Sequence, residues 1–475
     1  DLVIQVAIVR PGPIQGNMVH PYLKRRAGEK VEFPSPSPAH GHPDELRQVL
    51  EKTKGVPLFQ EQAMRIAMVA AEFTPEEANR LRRAMATFRN MGTIGEFEEM
   101  MVGRMINRGY DPAFAQNCFE QIKGFGSYGF PESHAASFAK LVYISAYIKC
   151  HHPDVFACAL LNSQPMGFYA PAQIVRDAEG NGVEVRPIDI NHSDWDNTLE
   201  EEAGKHRALR LGFRQMQGVH ETEARGAGFD SVEAFSVRAA LHGRPLRALA
   251  DADAFRSIGL ERRKALWEVS RLPDDDPLPL FLAADARELA EEPDAALPEM
   301  PIGEHVATDY QTMRLSLKGH PMKILRPIFQ RERILSCMGA REQANGAFAR
   351  AAGIVLVRQR PGKGNAIFVT LEDETGVSNI VLWASKFEHF RREVMGARLM
   401  MVEGRVQKSP EGVVHLMPQR IFDRSVELDR LWAGDRAGLT PPAAVPLAPS
   451  ITSTPPPRHG HPRNVRVLPK SRDFH

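Results

Sequence analysis

The sequence has few cysteines, no long apolar run and no excess of charge of either sign. Lysine and arginine number 60 against 59 aspartate and glutamate residues, so any binding to nucleic acid must use local patches. No apolar run reaches the roughly 20 residues of a transmembrane helix, and no secretory leader is recognisable. The cysteines are too few and too scattered for a disulfide framework, which indicates a reducing cytoplasm. They are Cys118, Cys150, Cys158 and Cys337.

Two further absences concern the start of the chain and metal binding. Asp1 stands where an initiator methionine would and leads straight into the apolar run 2–9, so we expect the sequence to be a fragment. The run Cys150-His151-His152 lies near Cys158, but its spacing matches no standard zinc site, and reduced structural thiols are expected. The length of 475 residues favours about three domains.

The most distinctive stretch present is the glycine-rich segment 124–134, GFGSYGFPESH. Its glycines permit sharp turns around Tyr128, Gly129 and Phe130. Ser133 is expected to cap a helix over 134–150 that His134 opens. Such a turn has two possible roles. It is either purely structural, or it is an anion-binding site next to aromatic rings, and the second arrangement would suit the phosphate and the base of a nucleotide. Helical spacing predicts that the helix buries Phe138, Leu141, Val142, Ile144 and Ile148.

A second candidate for phosphate binding is the helix that begins at Thr74-Pro75-Glu76-Glu77, a capping box with proline at the first helical position. Helical spacing predicts one buried face and places arginines on the others. The arginines form either an ordinary solvated surface or a phosphate-facing one, and the scarcity of acidic partners beyond the first turn favours the latter. The predicted buried residues are Ala78, Leu81, Met85 and Phe88, and the arginines are Arg80, Arg82, Arg83 and Arg89.

Between residues 210 and 272 the sequence predicts two helix-hairpin-helix units. The clearer hairpin, Ile258-Gly259-Leu260, precedes a helix that carries Arg262, Arg263 and Lys264. Backbone amides and cations there would grip a phosphate without reading a base. The other hairpin, Gly218-Val219-His220, lacks its second glycine, so we expect at most one competent hairpin.

Asp251 and Asp253 are spaced like the paired aspartates that hold two metal ions in polymerases. They lie at the end of a short predicted helix next to the hairpin. We therefore expect a cap or a solvated surface there, and no metal site in this chain.

The region 353–421 shows three strands, a helix and two strands, which is the order of an OB-fold barrel. Phe368 and Trp383 either stack on bases or face the barrel core, and Arg358, Arg360 and Lys363 could follow a nucleic-acid backbone. After residue 439 the chain is rich in proline and basic at its end, so a disordered tail is expected. The predicted strands span 353–359, 366–372, 377–383, 398–407 and 413–421, and the helix spans 385–395.

Taken in order, these segments resemble the C-terminal part of a bacterial C-family DNA polymerase. Arg10-Pro11-Gly12-Pro13, Gln60-Glu61-Gln62, Leu81-Arg82-Arg83-Ala84-Met85 and the segment 128–134 carry the resemblance. Within these motifs the residues resemble those of the error-prone, damage-inducible paralogue more than those of the replicative alpha subunit. The replicative subunit usually has Asn-Lys in place of Pro131-Glu132. The stretches 161–169 (LNSQPMGFY) and 468–475 (LPKSRDFH) also resemble the error-prone form.

The resemblance implies roles for the candidate residues. Arg82 and Arg83 would face the triphosphate of an incoming nucleotide, and the nascent pair would be surrounded by Tyr128, Gly129, Phe130, Ser133 and His134. No stretch matches the palm motif, so the metal-binding aspartates and their Mg²⁺ ions would lie outside this chain. The implied multidomain α+β fold comprises a fingers region (1–165), a tandem helix-hairpin-helix domain (166–285), a linker and helical bridge (286–345), an OB fold (346–425) and a proline-rich basic tail (426–475).

The implied partners are primer-template DNA, deoxynucleoside triphosphates and other mutasome subunits. Pro277-Leu278-Pro279-Leu280-Phe281 resembles a sliding-clamp peptide that lacks its leading Gln. Either Leu278, Leu280 and Phe281 dock on the clamp or the segment packs on the hairpin domain. The expected function is error-prone, template-directed DNA synthesis in damage-induced mutagenesis and translesion synthesis, with this chain alone inactive. The alternatives are a non-catalytic DNA-binding module and a fragment of the replicative subunit.

Overall fold

The structure, a computed structural model, describes residues 1–9, 19–86, 94–123, 131–166, 169–216, 218–219, 228–239, 241–272, 297–360, 365–410 and 412–432. The chain divides into two units, Asp1–His151 and His152–His475, each with its own core. Of the helices in the described part of the chain, none combines the length and the apolar character that a membrane span requires.

The first unit is helical because its apolar residues recur at helical spacing and caps mark its helix starts. The helices are α1 (Leu2–Ile8), α2 (Val19–Arg26), α3 (Glu45–Leu50), α4 (Gln60–Ala70), α5 (Pro75–Ala86), α6 (Ile94–Asn107), α7 (Pro112–Lys123) and α8 (Glu132–His151). The capping box of α5 forms as predicted, with Glu77 N–H donating to Thr74 Oγ1 at 3.2 Å. Ala78 and Leu81 are buried as predicted. The side chain of Met85 and the whole of Phe88 and Arg89 lie outside the described residues.

Helix α8 differs from its prediction in both its start and its burial. It begins at Glu132, whose N–H donates to the Glu61 carboxylate of α4 at 3.0 Å, so the predicted Ser133 cap is wrong. The buried residues of α8 are the small Ala135 and Ala139, and α1 packs against this helix. The predicted buried face is wrong as well: Ile148 is half-buried, and the exposed residues include Phe138, Leu141, Val142 and Ile144.

The second unit joins a hairpin region to a barrel. Its elements before the barrel are α9 (Pro153–Asn162), α10 (Pro171–Gly180), β1 (Val185–Arg186), β2 (Thr198–Ala203), β3 (His206–Arg210), α11 (Val232–Ala239), α12 (Arg244–Asp251), α13 (Arg262–Arg271), α14 (Ile302–Thr312), α15 (Pro321–Arg331) and α16 (Cys337–Glu342). A small sheet has the strand order β1-β3-β2. It shares its apolar core with the hairpin region.

Five strands close into a barrel in the order β4-β5-β6-β8-β7, as the OB-fold pattern predicted. The first strand starts five residues earlier than predicted, because its alanine-rich beginning pairs with β7 from Phe348 to Ile354. Tertiary pairing here overrides a weak strand propensity. The elements are β4 (Phe348–Gln359), β5 (Ala366–Asp373), β6 (Gly376–Trp383), α17 (Ala384–Phe387), α18 (Arg391–Gly396), β7 (Leu399–Lys408) and β8 (Val414–Asp423).

The helical bridge between hairpin region and barrel contributes to both cores. Met313 and Leu315 belong to the core of the hairpin region, and Ala307 of α14 packs with the barrel cluster. Arg326 of α15 donates to Asp373 at 2.6 Å and, through Nε, to Glu374 at 2.6 Å. The bridge therefore holds the hairpin region and the barrel in a fixed arrangement.

Candidate nucleotide and nucleic-acid interfaces

Helix α5 carries Arg82 and Arg83, which the family resemblance implies would face a triphosphate. Arg82 is half-buried, and its Nε and Nη2 donate to Oδ1 of Asn79 at 3.1 and 2.9 Å. Arg83 is exposed on the same helix. Arg80 lies over the ring of Phe97, 5.7 Å from its centroid. The side chains of Arg82 and Arg83 thus stay at the surface of α5, whereas Arg80 is held against α6.

An ion pair with α6 fixes the first turn of α5. Both carboxylate oxygens of Glu77 accept from Arg104, at 2.9 and 3.0 Å, which is a bidentate pair. Hydrogen bonds from the Arg104 side chain and the Thr74 backbone lower the pKa of Glu77 to about 2. Glu77 is therefore charged at neutral pH, and the arginine helix is anchored at its N-terminus.

The motif Gln60-Glu61-Gln62 connects α4 to neighbouring segments through hydrogen bonds. The sequence analysis did not assign this role to the motif. Gln62 is buried, accepts from the N–H of Leu58 at 2.9 Å and donates to Thr53 Oγ1 at 2.8 Å. Glu61 accepts the first N–H of α8, and α4 also packs against α5. The sequence signal that could have indicated this role is a run of three polar residues at the start of an otherwise apolar helix.

Ser133 and His134 are exposed in the first turn of α8. The His134 ring meets Phe138 edge-on, with 4.6 Å between ring centroids. Tyr128, Gly129 and Phe130 lie outside the described residues. Their grouping with the arginines of α5 around a nucleotide stays a prediction.

The hairpin Ile258-Gly259-Leu260 connects a 3-10 turn to α13. Gly259 has a left-handed conformation, with φ of 78°, which glycine adopts without strain. Ile258 and Leu260 pack on the core of the hairpin region. The N-cap residue Glu261 makes no side-chain capping bond, so the first-turn amides of α13 lack a side-chain acceptor from their own cap.

Arg262 follows this hairpin but points into the protein. Its side chain is fully buried and forms an ion pair with the equally buried Asp309 of α14. Nη1 of Arg262 also donates to the carbonyl of His305 at 3.0 Å. The prediction that Arg262 grips DNA is therefore corrected, because a guanidinium without solvent access cannot reach a phosphate.

Arg263 and Lys264 differ in their exposure to solvent and in their charge partners. Arg263 donates to the carbonyl of Pro298 at 2.6 Å and to Glu304 at 2.5 Å, so its charge is already partly matched. Lys264 is exposed and forms no salt bridge with any described residue. Of the three predicted cations, Lys264 is thus the one presented to solvent.

Of the two candidate aspartates, Asp253 is held by ion pairs within the second unit. Asp253 is buried and lies 2.9 Å from Arg256 and 3.1 Å from Lys318. Burial alone would raise the pKa of Asp253, but the Arg256 hydrogen bond and the charge of Lys318 hold it below its usual value. Burial raises the pKa of Asp251. Among the described residues, no three His, Cys, Asp or Glu side chains lie close enough together to hold a metal ion.

Both candidate aromatic rings of the barrel face outward. Phe368 is 37% exposed and Trp383 is 51% exposed, so the core-facing alternative is wrong for both. Phe368 lies opposite Val381, and Trp383 follows two residues later on the same face of β6. The two rings therefore share one outer face of β5 and β6.

Arg358 lies on the inner side of the barrel wall. It is opposite the inward-facing Val369, and its guanidinium donates to the carbonyls of Val394 and Ala397 at the end of α18. The prediction that Arg358 follows a nucleic-acid backbone is corrected, because its buried side chain caps a helix C-terminus instead. Arg360 is exposed, and Lys363 lies outside the described residues.

A shallow groove of about 140 Å³ adjoins Trp383 and contains cations that sequence reasoning missed. Lys386 and Arg405 line it, together with Met417, Pro418 and Gln419. Lys386 reaches the carbonyl of Pro418 at 3.2 Å, and Arg405 reaches that of Gly346 at 2.9 Å. The sequence did not predict that Arg405 lies near Trp383 and Lys386, because Arg405 is far from both in the chain. They come together only when the barrel closes and brings β6, β7 and β8 side by side.

Three other predictions fall outside the described residues. They are the clamp-like segment with Leu278, Leu280 and Phe281, the hairpin residue His220, and the basic tail from residue 433 onward. Gly218 and Val219 of the incomplete hairpin are described, and Val219 is buried.

Comparisons with known proteins agree with these parts in order. Residues 1–109 match the bacterial DNA polymerase III alpha subunit finger domain. Residues 182–265 match a helix-hairpin-helix motif, and residues 350–424 match an OB-fold nucleic acid binding domain.

Similar full-length proteins are named error-prone DNA polymerase. One from Rhodopseudomonas palustris is 58% identical over 522 residues, covering 100% of this chain and 44% of that protein. Those from Brucella abortus (59% over 483 residues) and Bradyrhizobium sp. (54% over 562 residues) also cover 100% of this chain, and 44% and 48% of their own length. Over its whole length the chain is therefore similar to part of the bacterial error-prone DNA polymerases, and it spans less than half the length of these relatives.

Proposed function

We propose that this chain is the nucleotide-holding and DNA-holding part of an error-prone, template-directed DNA polymerase that acts in damage-induced mutagenesis and translesion synthesis. The observation that carries the proposal is the match of the whole chain to error-prone DNA polymerases at 54–59% identity. The arginine helix and the aromatic face of the barrel give independent support, since guanidinium forks suit phosphate and exposed rings suit bases.

At the nucleotide, Arg82 and Arg83 bind the triphosphate, and neutralising its charge assists phosphoryl transfer. The nascent pair is enclosed by Tyr128, Gly129, Phe130, Ser133 and His134. The described residues do not fit a two-metal site, since Asp253 is already matched by Arg256 and Lys318. We assign the Mg²⁺ ions to parts of the full-length protein outside this chain.

On the DNA, Lys264 and the first-turn amides of α13 hold duplex phosphates. Phe368 and Trp383, with Arg360 and Lys363, meet the single-stranded template. Neither contact reads bases, so binding is indifferent to sequence and sensitive to salt. Further partners are other mutasome subunits in the cytoplasm and the sliding clamp, the latter through Leu278, Leu280 and Phe281.

Primer extension tests this proposal. The 475-residue chain should bind primer-template DNA but not extend it. A chimera in which this chain replaces the matched part of the Rhodopseudomonas palustris relative should extend primers, including past an abasic site. Extension by the chain alone, abolished by Asp251→Asn, would contradict the assignment of the metals. A folded, DNA-binding chimera without extension would favour the non-catalytic DNA-binding module.

A further inference from the structure

Helix α8 exposes a run of large apolar side chains that the described residues of the first unit leave uncovered. Tyr143 is 67% exposed and Leu141 58% exposed, although apolar residues of this size are normally buried. The full set, which we name the apolar ridge, is Phe138, Leu141, Val142, Tyr143, Ile144 and Tyr147.

The apolar ridge extends around the helix and does not form a single stripe. At 100° per residue, Phe138 and Val142 lie on one side, Tyr143 and Tyr147 on a second, and Ile144 on a third. A helix that is apolar all round is normally enclosed by protein. Six such side chains at about half exposure present on the order of 500 Å² of apolar surface, a size that marks an interaction site.

The charge of α8 argues against nucleic acid or a lipid surface as the occupant. Over Glu132–His151 the helix carries one glutamate, Glu132, and two lysines, Lys140 and Lys149, which are nine positions apart and so lie on opposite sides of the helix. Binding to phosphates or anionic headgroups requires several cations on one face. The chemistry of the ridge therefore fits a concave apolar protein surface, of the kind found in permanent interfaces.

The ridge is held rigidly on the first unit. Glu61 accepts the N–H of Glu132 at 3.0 Å, and the Glu132 side chain forms an ion pair with Lys52. Ala135 and Ala139 are buried, and α1 packs against the same helix. Such preorganisation lowers the cost of docking.

We propose that the apolar ridge docks the part of the full-length polymerase that this chain does not span. This inference rests on the proposed function and on the relatives' length, of which the chain covers 44–48%. A surface within the same polypeptide is always present, so an apolar helix need never face water in the full-length protein. In that protein the ridge would fix the nucleotide-binding arginines relative to the remaining domains.

Thiol labelling of Tyr143→Cys tests the proposal. The variant is made in a Cys150→Ser background, because Cys150 is exposed on the same helix. Reaction with a maleimide is timed in the 475-residue chain and in the Rhodopseudomonas palustris chimera. Val237→Cys is the matched control, since Val237 is also 67% exposed but lies on α11 of the other unit.

Docking predicts rapid labelling of Cys at 143 in the chain and at least tenfold slower labelling in the chimera, with equal rates for the control. Slow labelling in the chain already would show that its own residues or a second copy cover the ridge, and it would overturn the proposal. Rapid labelling in both proteins would also overturn it. If that chimera is insoluble, the Bradyrhizobium relative supplies a second one. Loss of primer extension with protection intact would count against the proposed function alone.

Discussion

Arg262 and Asp309 form a fully buried ion pair that joins the hairpin helix α13 to the bridge helix α14. Ser316 donates to the second oxygen of Asp309 at 2.6 Å, and Lys318 lies 3.3 Å from the same oxygen. Arg262, a cation beside the predicted DNA-binding hairpin, thereby stabilises the contact between the two helices.

Removing one partner of this pair should destabilise the second unit. Arg262→Ala leaves Asp309 buried beside a cavity, and we expect a loss of about 3–5 kcal/mol in the free energy of unfolding. Urea denaturation of the 475-residue chain measures it. Arg263→Ala is the matched control, because its partly exposed pair with Glu304 should contribute no more than about 1 kcal/mol. Equal effects of the two substitutions would contradict the structural role.

Lys264 should carry the duplex contact of the hairpin. Lys264→Ala removes one phosphate contact, so the log–log salt slope for duplex binding should flatten by about 0.9 while stability is unchanged. Lys323→Ala, an exposed lysine on α15, should leave the slope as it is. Titrations of duplex binding at several salt concentrations measure both slopes. An unchanged slope for Lys264→Ala would contradict the prediction that the hairpin contacts duplex DNA.

The barrel rings should matter for single strands. Replacing Phe368 and Trp383 by alanine should weaken single-strand binding by about 1–3 kcal/mol for each stacked base, with little effect on duplex. Trp267→Ala removes a similarly exposed ring from α13 and serves as the control. Fluorescence anisotropy with a labelled oligonucleotide gives both numbers. Comparable losses for Trp267 and the barrel pair would show that the rings act non-specifically.

The arginines of α5 should act on the nucleotide. In the full-length chimera, Arg82→Ala or Arg83→Ala should reduce kcat/KM for nucleotide by the equivalent of about 1.5–3 kcal/mol, the contribution of a charged hydrogen bond. Arg80→Ala, whose guanidinium lies over Phe97, is the control on the same helix. The affinity of these variants for DNA in the absence of nucleotide should equal that of the unsubstituted chimera. A collapse of DNA affinity with intact nucleotide kinetics would assign these arginines to the DNA backbone.

The ion pair between Glu77 and Arg104 should make the first unit sensitive to acid. Because the pKa of Glu77 falls from 4.5 to about 2 on folding, its contribution is complete above about pH 4.5 and is lost as the pH drops toward 2. Since both side chains are partly exposed, we expect about 1 kcal/mol. Glu77→Gln should lose this at pH 7 and show a shallower acid dependence, whereas Glu76→Gln should behave as wild type. Identical acid profiles for both variants would contradict the assignment.

Local sequence patterns predicted the elements well where neighbouring residues carry the information. The capping box of Thr74 and Glu77 lies within one helical turn, so its sequence was sufficient to locate the start of α5. The order of three strands, a helix and two strands predicted the barrel, because that order is typical of an OB fold. The same reasoning failed for α8, because its apolar residues indicated burial but not which surface would cover them.

The sequence by itself indicated the resemblance to error-prone polymerases, the order of the parts and the residue types that suit phosphate and base. Only the tertiary structure decided which of these residues reach solvent and which are buried. Arg262 and Lys264 are two positions apart, yet Arg262 meets Asp309, 47 residues away, and Lys264 faces solvent. Arg358 likewise meets carbonyls 36 and 39 residues away. A cation's role depends on whether a distant partner satisfies its charge, and that partner comes close only when the chain folds.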